Sequence, residues 1–259
     1  MKLSIIVPVY NSGEILSELI KQIEKNVKLD HEIILINDFS RDDSWRKIQE
    51  ISNQNNKIKG INLKKNYGQH NAIAAGLTFA KGDYFVLMDD DLQHDPIFIN
   101  DIVNQLTSGA EACYVKYLKR KHIYWKKLVS LINHLTSSFL AGKSLKIYTS
   151  SFKGFNRRIA NFILEDKQNE VFLDWIILYN SKNTKSINVL HRERYLGKTN
   201  YNLKKLFLLW SAMMMNIKSN NRISSLIIYF IKIFIKNVLF KILNKKEFTE
   251  KFLIKDKTF

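Results

Sequence analysis

Tyr84-Phe85-Val86-Leu87-Met88-Asp89-Asp90-Asp91-Leu92-Gln93-His94 carries an apolar run straight into three adjacent carboxylates. A short continuous apolar run is the pattern of a strand buried on both faces, as in a parallel sheet. Neighbouring carboxylates repel one another and lose solvation when buried, so a cluster at a strand end calls for a cation or hydrogen-bond donors. Hard oxygen ligands with no cysteine or histidine pair beside them suit Mg2+ or Mn2+ rather than zinc, and both ions clamp phosphorylated substrates. A solvated acidic turn capping a helix would use the same residues, so the surrounding chain has to decide.

Outward from that stretch the first hundred residues alternate strand and helix patterns. Leu3 to Val9 reads as the first strand, with Pro8 near its end, where a missing ladder donor is tolerated. Leu16, Leu19, Ile20, Ile23 and Val27 follow at helical spacing. Glu32 to Ile36 is a second strand, and a helix from Asp43 or Ser44 sets Trp45, Ile48 and Ile51 on one face. Ile58 to Leu63 is a third strand, Ala72 to Ala80 a helix of small residues, Asp83 to Met88 a fourth strand and Ile97 to Leu106 the next helix, with Pro96 suited to its first turn. Such alternation predicts an α/β fold, an open and mostly parallel sheet flanked by helices. Asn11, Asp38, Asn66 with Gly68, and Asp89 to Asp91 each follow the carboxyl end of a strand, which is where open α/β sheets bind ligands.

The chain has 259 residues, and its 46% hydrophobic content suffices for a folded core. Cys113 is its single cysteine, which rules out an internal disulfide and fits a reducing compartment. No basic and apolar leader precedes Leu3, so no secretory signal is expected. The net charge of +17 is uneven: residues 1–100 hold 12 basic against 14 acidic residues, residues 112–164 hold 11 against none, and residues 201–259 hold 12 against 3. A basic second half beside an acidic first half points to an anionic partner: nucleic acid, a phosphorylated substrate or an anionic membrane. Nucleic acid fits poorly, because no stacking motif or recognition-helix signature accompanies the charge.

In the second half Ile123 to Leu140 has a helical pattern. Ile223 to Leu239 is apolar but contains Lys232 and Lys236, four apart on a face shared with Ser225. A membrane span tolerates central lysines badly. Two readings remain, an interfacial amphipathic segment helped by the basic tail, or a domain helix with snorkelling lysines. A catalytic domain over 1–205 and a basic, membrane-associated helical extension over 206–259 are expected.

Ile5-Ile6-Val7-Pro8-Val9-Tyr10-Asn11, Asn37 to Ser44, Asn66 to Ala72, Met88 to His94 and Arg194 to Tyr201 occur in that order. Together they resemble family 2 glycosyltransferases of the GT-A fold, in the branch of dolichol-phosphate mannosyltransferase and bacterial polyprenyl-phosphate glycosyltransferases. The resemblance spans about the first 205 residues. It implies an inverting transfer from a nucleotide-sugar donor to a polyprenyl-phosphate or other lipid-linked acceptor at the cytoplasmic membrane face. Pro8, Tyr10, Asn11, Asp38, Gly68, Asp89 and Asp91 would bind the donor, Asp38 meeting the base. Asp89, Asp91 and Gln93 would hold Mg2+ or Mn2+, with Asp90 pointing away and His94 either behind them or an ordinary loop residue. His70 is expected in packing or helix capping. Arg194 and Lys198 would hold the acceptor phosphate, with Lys116, Lys119 and Arg120 lining its approach.

The sequence departs from the family at Ser150-Ser151-Phe152-Lys153, where an acidic residue followed by Phe-Arg is usual. That departure keeps a second acceptor open, a saccharide hydroxyl. A hydroxyl needs a general base, for which Asp174 is the candidate; otherwise Asp174 is a helix or turn residue beside Trp175. A nucleotidyltransferase on a related sheet would show a glycine-rich basic loop after the first strand, and Tyr10-Asn11-Ser12-Gly13-Glu14 is not one.

Overall fold

Leu3–Val9 is buried at all seven positions and forms β1, the strand on which the sheet is built. The computed structural model describes residues 2–117, 149–166, 172–189, 229–230, 233 and 251–259. The order through the first half is β1, α1 (Leu16–Asn26), β2 (His31–Asn37), α2 (Ser44–Gln54), β3 (Ile58–Leu63), α3 (Gln69–Leu77), β4 (Tyr84–Leu87), α4 (Phe98–Thr107) and β5 (Ala112–Tyr117). After the undescribed residues come β6 (Lys153–Asn156), α5 (Arg157–Glu165), α6 (Leu173–Asn180), β7 (Thr184–Val189) and β8 (Ile254–Lys257).

The strands form one sheet in the order β7-β5-β6-β4-β1-β2-β3-β8. β4, β1, β2 and β3 run parallel, as does the pair β5 and β7; β6 and β8 are antiparallel to their neighbours. The chain moves from β1 outward to β3 and then crosses to the other side of β1 for β4. The strand order therefore reverses between β1 and β4, and a crevice opens beyond their carboxyl ends.

Odd positions of β1 (Leu3, Ile5, Val7, Val9) join Ile33, Leu35, Val86, Cys113 and Val115 in a core with α1 and α4. Burial pushes the Cys113 thiol up to about 11, so it stays protonated and acts as a small apolar residue. On the opposite face Gly76 brings α3 close to the sheet. A Cβ there would lie 2.7 Å from Ile36 Cδ1 and 3.0 Å from Ile6 Cγ2. Arg157 donates to the carbonyl oxygens of Ala80 and Gly82, and Arg158 pairs with Glu111 at 2.5 Å. These two of the second half's many cations thus serve the fold.

Contacts divide the chain into two compact units: Met1–Lys119 with Ile147–Gly197 and Glu250–Phe259, and Arg120–Lys146 with Lys198–Thr249. The sheet belongs to the first. The expected helical extension over 206–259 needs correcting at its end, because β8 returns to the sheet beside β3. There it covers an edge that would otherwise offer unpaired backbone groups. The Gly60 N–H donates to Thr258 Oγ1 at 2.8 Å, and Phe259 packs edge-on against Phe79. An edge strand that faces solvent needs no apolar run, which is why Ile254-Lys255-Asp256-Lys257 does not look like a strand. The expected helix over Ile123 to Leu140 lies outside the described residues. Of Ile223 to Leu239, Tyr229, Phe230 and Ile233 are described, all helical. Among the described residues no helix is long and apolar enough to cross a membrane.

Candidate active site

Three non-glycine residues have positive φ among the described residues: Asn11 (55°), Phe39 (61°) and Leu92 (60°). They lie in the loops just past the carboxyl ends of β1, β2 and β4. Backbone strain of this kind persists where surrounding structure over-determines it, and it clusters at functional sites. The lacing that holds it is visible atom by atom. Asn11 N–H donates to Ser40 Oγ at 3.0 Å, and Asn11 Oδ1 accepts from Arg41 N–H at 2.8 Å. Asp42 accepts from Gly13 N–H at 3.0 Å and from Ser44 Oγ at 2.6 Å. Burial alone would raise the Asp42 carboxyl, but these donors bring it below the usual range.

Asp38 is 4% exposed, and its two carboxylate oxygens accept the N–H groups of Tyr67 at 2.7 Å and Gly68 at 2.9 Å. Burial raises its pKa against the pull of both donors. Its side chain is spent on tying the β2 end to the β3–α3 loop. Gly68 takes φ 84° as the residue before α3, a conformation that glycine adopts without a Cβ clash. The helix starts directly after it, three residues earlier than the small-residue pattern suggested. That start places Gln69 and His70 at the crevice.

Asp89 is held on three sides. Gln69 Nε2 donates to Oδ1 at 2.6 Å and Ser151 Oγ donates to Oδ2 at 2.7 Å. Its own backbone N–H donates to His94 Nδ1 at 3.0 Å. That last bond assigns the proton of a neutral imidazole to Nε2, which lies 3.3 Å from Ser151 Oγ. A closed circuit results: Asp89 N–H to His94, His94 to Ser151, Ser151 back to the Asp89 carboxylate. His94 is 5% exposed and stacks on Phe152 with ring centroids 4.7 Å apart. Nothing in the sequence marked Ser151 or Gln69 for this task, although Ser151 lies within the departure from the family pattern.

Asp90 latches the switch point, accepting from Tyr10 N–H at 3.0 Å and Ser12 Oγ at 2.6 Å. Burial, outweighing those donors and joined by the repulsion of Asp89 and Asp91, lifts its pKa to about 6. Asp91 Oδ1 accepts from Gln93 N–H at 3.1 Å. Asp91 and Gln93 are half-buried, and the Asp89 side chain is 28% exposed. Among the described residues no three His, Cys, Asp or Glu side chains form a ready metal cage. A Mg2+-type site needs less, since one or two carboxylates commonly leave the remaining positions to substrate phosphates. The hard oxygens of Asp89, Asp91 and Gln93 fit that requirement.

Of the other candidates, Pro8 is buried in β1 opposite Ile36, Tyr10 is 46% exposed, and Lys116 is exposed on β5. Asp174 lies in the first turn of α6, where Oδ1 accepts from Lys153 Nζ and from Tyr114 Oη at 3.0 Å. Lys119, Arg120, Arg194 and Lys198 lie outside the described residues.

Residues 4–164 match the model of glycosyl transferase family 2. Undecaprenyl-phosphate 4-deoxy-4-formamido-L-arabinose transferase of Proteus mirabilis (strain HI4320) is 30% identical over 209 residues, and that of Enterobacter sp. (strain 638) is 32% identical over 210. Each alignment takes in 79% of this chain and 64% of the relative, so the chain spans under two thirds of their length. Among solved structures, glucosyl-3-phosphoglycerate synthase from Mycobacterium tuberculosis, in complex with Mn2+, UDP and glucosyl-3-phosphoglycerate, superposes with TM-score 0.60 at 16% identity, covering 85% of this chain and 81% of that one. S. aureus TarS gives 0.55 at 16% identity, covering 94% and 73%. Those two likenesses establish the GT-A glycosyltransferase fold.

Proposed function

This chain belongs to glycosyl transferase family 2, and from that premise we propose that it moves a sugar from a nucleotide-sugar donor to a polyprenyl phosphate or other lipid-linked acceptor in cell-surface glycan synthesis. The observation that carries the reading is the reversal of strand order between β1 and β4, where Asp89 is fixed by Gln69 and Ser151 beside half-buried Asp91. The polyprenyl acceptor is supported by the two relatives, whose names specify undecaprenyl phosphate. A nucleoside diphosphate with a divalent ion is supported by the M. tuberculosis enzyme, which was crystallised with UDP and Mn2+.

In the proposed step an acceptor phosphate oxygen bonds to the anomeric carbon as the bond from that carbon to the donor diphosphate breaks. The sugar configuration inverts and nucleoside diphosphate leaves. Pro8, Tyr10, Asn11 and Gly68 shape the donor cleft, with Asp38 bracing the wall against which the base lies. Asp89, Asp91 and Gln93 hold Mg2+ or Mn2+. Such a cation supplies positive charge against the negative charge that builds on the departing diphosphate. An acceptor phosphate is already anionic and needs no general base, so its requirement is cationic side chains: Arg194, Lys198, Lys116 and Arg120. The proposed place of action is the cytoplasmic face of a membrane. Exposure of Tyr229 (60%), Phe230 (63%) and Ile233 (41%) on one helical side supports the interfacial reading of the apolar segment.

Purified protein is to be offered a panel of nucleotide-sugars with Mn2+ and polyprenyl phosphate, and released nucleoside diphosphate measured. Asp91→Ala is expected to lower turnover by about 100-fold, the usual scale for losing one group that stabilises developing charge. Equal turnover by Asp91→Ala would remove the metal site from the reading, and transfer only to a glycan hydroxyl would remove the lipid phosphate.

A further inference from the structure

Beside the acidic loop, three side chains from three elements meet, Tyr114 of β5, Lys153 of β6 and Asp174 of α6, and His70 of α3 lies near enough to feel the charges of Lys153 and Asp174. Lys153 is 3% exposed and Tyr114 is fully buried. The Lys153 ammonium pairs with Asp174 Oδ1 and lies 5.3 Å above the Tyr114 ring. Tyr114 and Lys153 are also register partners across β5 and β6. A buried ion pair is weak evidence for stability, and a network left partly unsatisfied is costly to keep. This one has two open ends. Asp174 is 20% exposed at its side chain and only its Oδ1 is committed to Lys153 and Tyr114, and among the described residues His70 Nδ1 is shielded from solvent with no partner.

Both open ends adjoin the proposed donor site. Gln69, the residue before His70, holds Asp89 Oδ1, and Ser151, two residues before Lys153, holds Asp89 Oδ2. His70 feels the charges of Asp174, Lys153 and Asp89 together, and it packs on Phe172 at 5.4 Å between ring centroids. A carboxylate fixed through one oxygen and open at the other is an acceptor of defined direction. A neutral imidazole beside it adds one donor or one acceptor. Such a pair matches the hydroxyl or N–H groups of a sugar ring, not the oxygens of a phosphate, which a carboxylate would repel.

We propose that Asp174, held by Lys153 and Tyr114, and His70, packed on Phe172, form the subsite that recognises the sugar of the donor and sets which sugar is transferred. The inference rests on the nucleotide-sugar reading. It also gives Asp174 a task different from that of a general base, because its Oδ1 is already committed to Lys153 and Tyr114.

The test is to titrate the full chain with UDP and with a panel of UDP-sugars, all with Mn2+, for wild type, Asp174→Asn and His70→Asn. Turnover of each donor is measured alongside. UDP binding reports that each variant is folded, and His70→Asn leaves the ion pair intact should Asp174→Asn unfold. Expected is unchanged UDP affinity, a loss of about ten-fold in affinity for the preferred UDP-sugar, and a flattened ranking across the panel. Unchanged ranking and affinity in both variants would overturn the subsite while leaving the transfer reading standing. A collapse of turnover on Asp174→Asn with UDP-sugar affinity intact would also overturn it, and would restore the base for a hydroxyl acceptor. A wild-type chain that binds no nucleoside diphosphate and no nucleotide-sugar, whatever the base, would sink the transfer reading and the subsite with it.

Discussion

Asp89 owes its placement to uncharged partners. A carboxylate that is to meet a cation must keep its charge and its direction, and hydrogen bonds from Ser151 and Gln69 supply both without competing as ligands. Ser151→Ala removes one charge-assisted bond of the kind worth about 1.5–3 kcal/mol, and it breaks the circuit through His94. Mn2+ titrated into the protein with UDP is expected to bind about ten-fold more weakly to Ser151→Ala, while Ser151→Thr keeps near wild-type affinity. Equal Mn2+ affinity in the alanine variant would show that the circuit serves packing alone. His70 offers a second test at this scale. Burial holds its imidazole at about 4, below the 6.5 of a free histidine, so as pH falls through that window the unfolded chain takes up the proton first. Neutral His70 therefore contributes stability that is full above about pH 6.5 and lost toward pH 4, up to about 3 kcal/mol. Asp90, raised to about 6, acts with the opposite sign in part of that window. The effect is thus read as the difference between wild type and His70→Asn in denaturant melts at pH 7 and pH 5. The place of Asp89 to Asp91 just past a buried strand was legible in the sequence, because an apolar run ending in carboxylates writes itself in consecutive residues. Ser151, Lys153 and Tyr114 were not, since a serine, a lysine and a tyrosine acquire meaning only from partners distant in the chain.

Among the elements, α3 couples packing to chemistry. Its far end is pressed on β1 and β2 at Gly76, and its first turn carries Gln69 and His70 into the crevice. Gly76→Val places a branched side chain against Ile36 and Ile6, and the helix must lift or the isoleucines must leave their rotamers. A loss of about 1–3 kcal/mol is expected in denaturant melts. The same lift draws Gln69 away from Asp89, so weaker Mn2+ binding should accompany the lower stability. A variant destabilised without any change in Mn2+ affinity would show that α3 and the acidic loop are independent. The strands β1 to β4 were readable because burial on both faces writes continuous apolar runs. β6 was not: it is four residues long, it contains Gly154, and its Lys153 is buried only because Asp174 neutralises it. A Cβ on Gly154 would come within 2.4 Å of Ile102 Cγ2, so close approach of α4 explains a glycine that reads as a strand breaker.

Across the whole molecule the charge map needed the structure to be divided correctly. The +17 is concentrated in the second half, yet Lys153, Arg157 and Arg158 are consumed within the fold. Residues 201–259 still hold 12 basic residues against 3 acidic ones, together with the exposed Tyr229, Phe230 and Ile233. Apolar side chains gain from an acyl boundary whatever the lipid charge, whereas each lysine near an anionic surface contributes about 1 kcal/mol and is screened by salt. The two contributions can therefore be separated. Binding to vesicles rich in anionic lipid is expected to exceed binding to neutral vesicles at low salt and to fall steeply toward about 0.5 M salt. Under the proposed function, nucleotide affinity would be set inside the crevice by Asp89 and Asp91 with a divalent ion, and it should change far less over the same range. Vesicle binding that ignores both lipid charge and salt would assign membrane contact to the aromatic side chains alone. Absence of binding to either vesicle would leave the lipid acceptor to be met without surface docking, with a rate limited by encounter and thus proportional to acceptor concentration.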